Sequence, residues 1–128
     1  MHDTTDKRPV YLNLFKIRLP VTGMVSLAHR VSGVVLFISI PFAVYLLDRS
    51  VASAQDFQAV RQILSSLPMQ GLLVLLAWAF AHHFFAGIRF LLIDADIGVE
   101  KRAARRGAWL VWGAELVCVA LFALELFS

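Results

Sequence analysis

One stretch settles most of what this chain can be. From Met69 to Ile93 it reads MQGLLVLLAWAFAHHFFAGIRFLLI. As a helix that stretch is long enough to cross a hydrocarbon layer, which takes about 20 apolar residues. A helix that is apolar all round has to be buried, in a large core or in a bilayer. With 128 residues, 59% of them hydrophobic, the chain has no large core to offer. Yet the same stretch holds His82, His83 and Arg89. Ionisable groups at membrane depth are costly, turn toward protein or a cavity, and mark functional positions.

Two further apolar runs complete the pattern. A first span is expected over 21–47: Val31 to Leu47 is apolar apart from small hydroxyls, Pro41 is a candidate kink, and Asp48, Arg49 and Ser50 end the run. The central span covers 69–93. A third covers 107–127, with Trp109 and Trp112 near its start as interface anchors. Residues 51–68 read as a connection holding a short amphipathic helix around Phe57, Val60, Ile63 and Leu64, and 94–106 as a charged link. Residues 1–20, broken by Pro9 and Pro20, mix apolar side chains with Lys16 and Arg18, as a segment along the membrane surface would. The fold class is therefore an all-α membrane protein of three transmembrane helices in a single domain. A bundle so small encloses a cofactor poorly, so partner helices are expected.

Charge fixes an expected orientation. Lys7, Arg8, Lys16 and Arg18 precede the first span, and Lys101, Arg102, Arg105 and Arg106 fill the second link. The first loop has only Arg49 and Arg61, and the C-terminus has none. Positive-inside places the N-terminus in the cytoplasm and the C-terminus outside. The net charge of +3 is this topology signal, not a nucleic-acid footprint. The lone Cys118 excludes an internal disulfide and a cysteine-built zinc site. Neither a secretory signal nor an Arg/Ser-rich transit pattern is visible, and a bacterial inner membrane fits best.

Chemistry centres on the second span. His82 and His83 are neighbours, about 100° apart around a helix, so they cannot both serve one metal between helices. Histidine is a common iron ligand where a haem lies between helices. His83 has Ala79, Ala86 and Gly87 one turn away, a shelf of small residues on which a flat macrocycle fits. His82 has Trp78 and Phe85 instead. The shelf favours His83 as an axial haem ligand and leaves His82 for packing or hydrogen bonding. The competing reading is a histidine bonded between helices, with small residues for close packing. One histidine half-ligates an iron, so a six-coordinate haem needs its second ligand from another chain. On the first span, Ser26 and Arg30 share a face at i, i+4, extended by Thr22 and Gly33. A hydroxyl beside a guanidinium offers donors to a quinone carbonyl. A haem propionate is the other acceptor, for Arg30 or His29. Interface snorkelling of Arg30 is the alternative. Asp94 is either a partner for Arg30 or Arg89 or simply solvated. Glu115, deep in the third span, has to face protein rather than lipid, with no function evident.

The runs Arg8-Pro9-Val10, Ser26-Leu-Ala-His29-Arg30-Val-Ser32-Gly33 and His83-Phe-Phe-Ala-Gly87-Ile88-Arg89-Phe90-Leu-Leu-Ile-Asp94 resemble the two signatures of the cytochrome b anchor of succinate dehydrogenase, complex II. The likeness covers all three spans. It implies one membrane subunit of a four-subunit enzyme, in which a flavoprotein oxidises succinate and an iron–sulfur subunit passes electrons to ubiquinone. It further implies haem b ligated by His83, with the opposite axial histidine from a second small anchor subunit. Ser26 and Arg30 would serve the quinone, Leu27 would line its pocket, and His29 would lie near the haem propionates. Some members carry a second histidine where this chain has Phe90, so a propionate contact from that position is lost. A fumarate reductase anchor shares the architecture. A haem-free structural anchor and a small proton-conducting subunit are the readings from other classes.

Overall fold

The computed structural model describes residues 18–128, which form four helices: α1 (Val21–Ala52), α2 (Ala54–Leu64), α3 (Leu67–Asp94) and α4 (Lys101–Phe127). The expected surface segment over residues 1–17 lies outside the described residues. α1, α3 and α4 are each long and apolar enough to cross a membrane. α3 packs against both other long helices, and α2 packs mainly on α1.

Helix ends differ from the apolar boundaries, for a physical reason. α1 does not stop at Leu47 but continues through Asp48, Arg49 and Ser50 to Ala52. The apolar run marks where hydrocarbon ends; the helix, whose backbone bonds are internal, persists until something breaks it. The break is Ser53, extended at φ −160° and ψ 163°. Its hydroxyl oxygen accepts from the Asp56 amide at 3.0 Å, capping α2. Asp56 also pairs with Arg49. The expected amphipathic helix is thus nearly the whole connection, with Val60 as its buried residue. Pro41 is accommodated inside α1.

The second link is shorter than the charged run suggests. α3 ends in a Schellman motif: Ile97 N–H reaches the Leu92 carbonyl at 2.9 Å and Asp96 N–H the Ile93 carbonyl at 2.9 Å. Asp96 takes the left-handed position at φ 59°, which Asp tolerates better than most residues. α4 then starts at Lys101, six residues before Gly107. Lys101, Arg102, Arg105 and Arg106 in its first turns oppose the helix dipole. Membrane topology, not helix stability, accounts for cations there.

The core sits toward one end of the bundle. Val25 of α1, Ala86 of α3, and Ala108 and Val111 of α4 form its buried centre, with Val21, Phe85, Phe90 and Trp112 packed around them. Trp112 is therefore part of the core, whereas Trp109 is exposed as an anchor would be. Outward, Phe37, Phe42, Leu110, Leu116 and Leu124 are each more than half exposed, a surface that belongs in lipid.

Candidate functional site

α3 delivers its two histidines to different partners. His82 is fully buried and both ring nitrogens are engaged. Nε2 faces the Val25 carbonyl at 3.2 Å, and Nδ1 pairs with Glu115 Oε2 on α4. A carbonyl only accepts, so Nε2 carries a proton. Trp78, one turn before His82, donates from Nε1 to Glu115 Oε1 at 3.3 Å. Glu115, 3% exposed, is thus satisfied at both oxygens. His82 has no nitrogen left for a metal.

His83 is arranged otherwise. Its Nδ1 lies 3.2 Å from the His29 carbonyl and 3.3 Å from Ser32 Oγ. Ser32 itself donates to the same carbonyl at 2.9 Å. The carbonyl again dictates the tautomer: Nδ1 holds the hydrogen. Among the described residues Nε2 has no hydrogen-bond partner. That is the state of a metal-ligating imidazole, whose second nitrogen is held by a carbonyl. Gly33 of α1 closes the near side, since a Cβ there would lie 3.0 Å from His83 Cε1. His29 stacks on the His83 ring, centroids 4.1 Å apart and planes 9° from parallel. Phe90 meets His29 edge-on at 5.2 Å.

The small residues around His83 work differently from the expected shelf. Ala79 and Ala86 are fully buried, Ala86 in the core. Close helix packing accounts for them. Gly87 lies beside His29, where a Cβ would be 3.7 Å from Nε2.

Ser26, Leu27 and Arg30 share no side-chain hydrogen bond with the histidines among the described residues. Ser26 is half-buried, Leu27 is 52% exposed and Arg30 is exposed. Arg30 borders a shallow hollow of about 260 Å³ with Val31, Val34 and Val35. The single face drawn through Thr22, Ser26, Arg30 and Gly33 divides in the fold. Gly33 packs on His83, while Thr22 lines a separate hollow of about 790 Å³ with Lys101, Arg105, Trp109 and Trp112 of α4. Asp94 is exposed and in no ion pair among the described residues. Arg89 instead donates to the Ala104 carbonyl at 3.2 Å, tying the end of α3 to the start of α4.

Sequence reasoning missed the His82–Glu115 pair. The signal was present: one deep carboxylate in the third span, one unassigned deep histidine in the second. Which residues meet across two helices depends on their relative depth and roll, which no local pattern carries.

Residues 4–122 match the family described as succinate dehydrogenase/fumarate reductase transmembrane subunit. A succinate dehydrogenase cytochrome b556 subunit of Coxiella burnetii is 36% identical over 119 residues, covering 90% of this chain and 93% of the relative. The proteins of the same name from Paracoccus denitrificans and Rickettsia typhi are 27% and 28% identical, over 94% and 95% of this chain and 92% of each relative. With three candidate spans and a match over nearly its whole length, the chain is a multi-pass membrane protein that belongs to the succinate dehydrogenase/fumarate reductase transmembrane subunit family, among its cytochrome b subunits.

Proposed function

We propose that this chain is a membrane-anchor subunit of a succinate:quinone oxidoreductase, in which His83 Nε2 would hold haem b together with a histidine from a second anchor subunit. The observation that carries this reading is the setting of the His83 ring, with Nδ1–H held by the His29 carbonyl and Nε2 without a hydrogen-bond partner among the described residues. The donor set suits the group: an imidazole on a helix, backed by Gly33, with no competing hydrogen bond on Nε2 among the described residues. When bound, haem b accepts and releases single electrons. His29 and Arg30 would neutralise its propionates. Ser26 and Arg30 would hold a ubiquinone head group, with Leu27 along its ring. Their hydroxyl and guanidinium donors are one turn apart on α1. Under positive-inside they lie toward the cytoplasm, where a flavoprotein and an iron–sulfur subunit would dock and deliver electrons. Succinate oxidation would belong to the flavoprotein subunit, and the bacterial inner membrane is the proposed location of this chain. The relatives' names favour the succinate-oxidising direction over fumarate reduction.

The test replaces His83 by Gly in the assembled complex. The low-spin b-type absorbance and EPR signals should be lost and should return when free imidazole is added. Full retention of the low-spin signal in H83G would overturn the assignment.

A further inference from the structure

The His82–Glu115 pair sits next to His83 in sequence and is not used by the reading above. Both residues are buried at membrane depth, His82 completely and Glu115 to within 3%. A buried ionisable pair adds little stability compared with an apolar core, but losing one member leaves the other without a partner. Such a pair is best suited to fixing a unique arrangement. Here its geometry is specific. One imidazole is held by the Val25 carbonyl of α1 and by the Glu115 carboxylate of α4. Trp78 of α3 then holds the other carboxylate oxygen. The three helices are thereby tied through one side chain, and the roll of α3 about its axis is set. His83 is the next residue, about 100° round. Whatever sets the roll at His82 sets where the His83 ring goes.

We infer that Glu115 is a positioning residue for the haem ligand: through His82 it locks the roll of α3, so that His83 is delivered to the His29 carbonyl and Gly33 in one orientation. This rests on the proposal that His83 ligates haem. The inference concerns geometry rather than charge, which gives it a sharp signature. A Gln at 115 can donate from its amide to His82 Nδ1 and accept from Trp78 at its oxygen, keeping every bond without a carboxylate. A Leu there keeps none of them.

The test compares three variants with the parent in the purified complex, reading the low-spin EPR g-values per bound haem. E115Q should match the parent. E115L should shift or broaden the signal in the haem that remains, because the His83 plane is no longer fixed. E115D, one methylene shorter, should shift it at near-normal haem content, and it serves alone should E115L fail to assemble. Val111→Ala thins the same core without touching the pair and should lose haem, if at all, with unchanged g-values. Parent-like g-values in both E115D and any assembled E115L would overturn the inference. So would equal disturbance by E115Q and E115L. The H83G result stands apart: an H83G complex that keeps its low-spin signal removes the haem reading itself. An H83G complex that loses it while E115D and E115L stay normal removes the positioning role only.

Discussion

Gly33→Ala adds one carbon where α1 touches the His83 ring. The new Cβ would lie 3.0 Å from Cε1 and 3.4 Å from Nδ1. Carbon atoms rest at about 3.5–4.0 Å, so the ring has to withdraw from α1 by roughly 0.5–1 Å. The His29 carbonyl is also on α1, so the 3.2 Å bond that sets the tautomer lengthens with it. Overpacking of this kind costs about 1–3 kcal/mol. Removing a helical glycine returns about 0.5–1 kcal/mol. Gly113 of α4 separates the two effects, because a Cβ there meets nothing within 4 Å. G113A carries the helix gain alone, and the difference between the variants isolates the clash. At about 1.4 kcal/mol per tenfold, haem retention in G33A should be about 5- to 150-fold weaker than in G113A. Haem content per complex and the reduced-minus-oxidised α-band, followed against increasing detergent or a haem-scavenging protein, give that ratio. Indistinguishable G33A and G113A complexes would mean that His83 does not rest on Gly33 in the assembled protein.

Replacing Ser26 by Ala or Arg30 by Leu should lower succinate–quinone activity roughly tenfold or more, as expected from about 1.5–3 kcal/mol for a charge-assisted hydrogen bond. Succinate oxidation with a soluble acceptor upstream should persist; equal loss of both activities, with normal quinone affinity in the remaining enzyme, would make these residues assembly elements. Ser53→Ala removes the cap of α2, about 0.5–2 kcal/mol, and should speed amide exchange in α2 by roughly 2- to 30-fold while leaving α1 unchanged. Arg49→Ala breaks only an ion pair whose arginine is half exposed and should change exchange in α2 far less.

The three spans were legible because hydrocarbon leaves a length-coded mark on sequence: the runs ending at Leu47 and Ile93 report bilayer thickness directly. They do not report helix ends, which is why α1 reaches Ala52 and α4 begins at Lys101. Local geometry decides helix ends instead: extended Ser53, whose hydroxyl caps α2, breaks α1, and the hydrogen-bonded turn at Asp96 ends α3. His82 and His83 were visible as intramembrane ionisable residues, and the roles of their ring nitrogens were not. These depend on which carbonyls of α1 stand opposite, a matter of packing between elements some fifty residues apart. Trp112 shows the same limit: interface anchor and core residue have one composition and differ only in the face presented.

The carbonyls of Val25 and His29 are four residues apart on α1, about 6 Å along its axis. The residues they receive, His82 and His83, are consecutive on α3. This makes the join between the two helices a vernier, in which two unequal spacings coincide at a single setting. A residue inserted or deleted between Val25 and His29, or inserted between His82 and His83, turns everything on one side by about 100°. It would remove one contact even if the other were recovered. A change of length at the break at Ser53, between α2 and α3, or in the link from Ala95 to Glu100 leaves this setting untouched. Between Val25 and His29 side chains can be exchanged, but a residue cannot be added or removed without losing the coincidence.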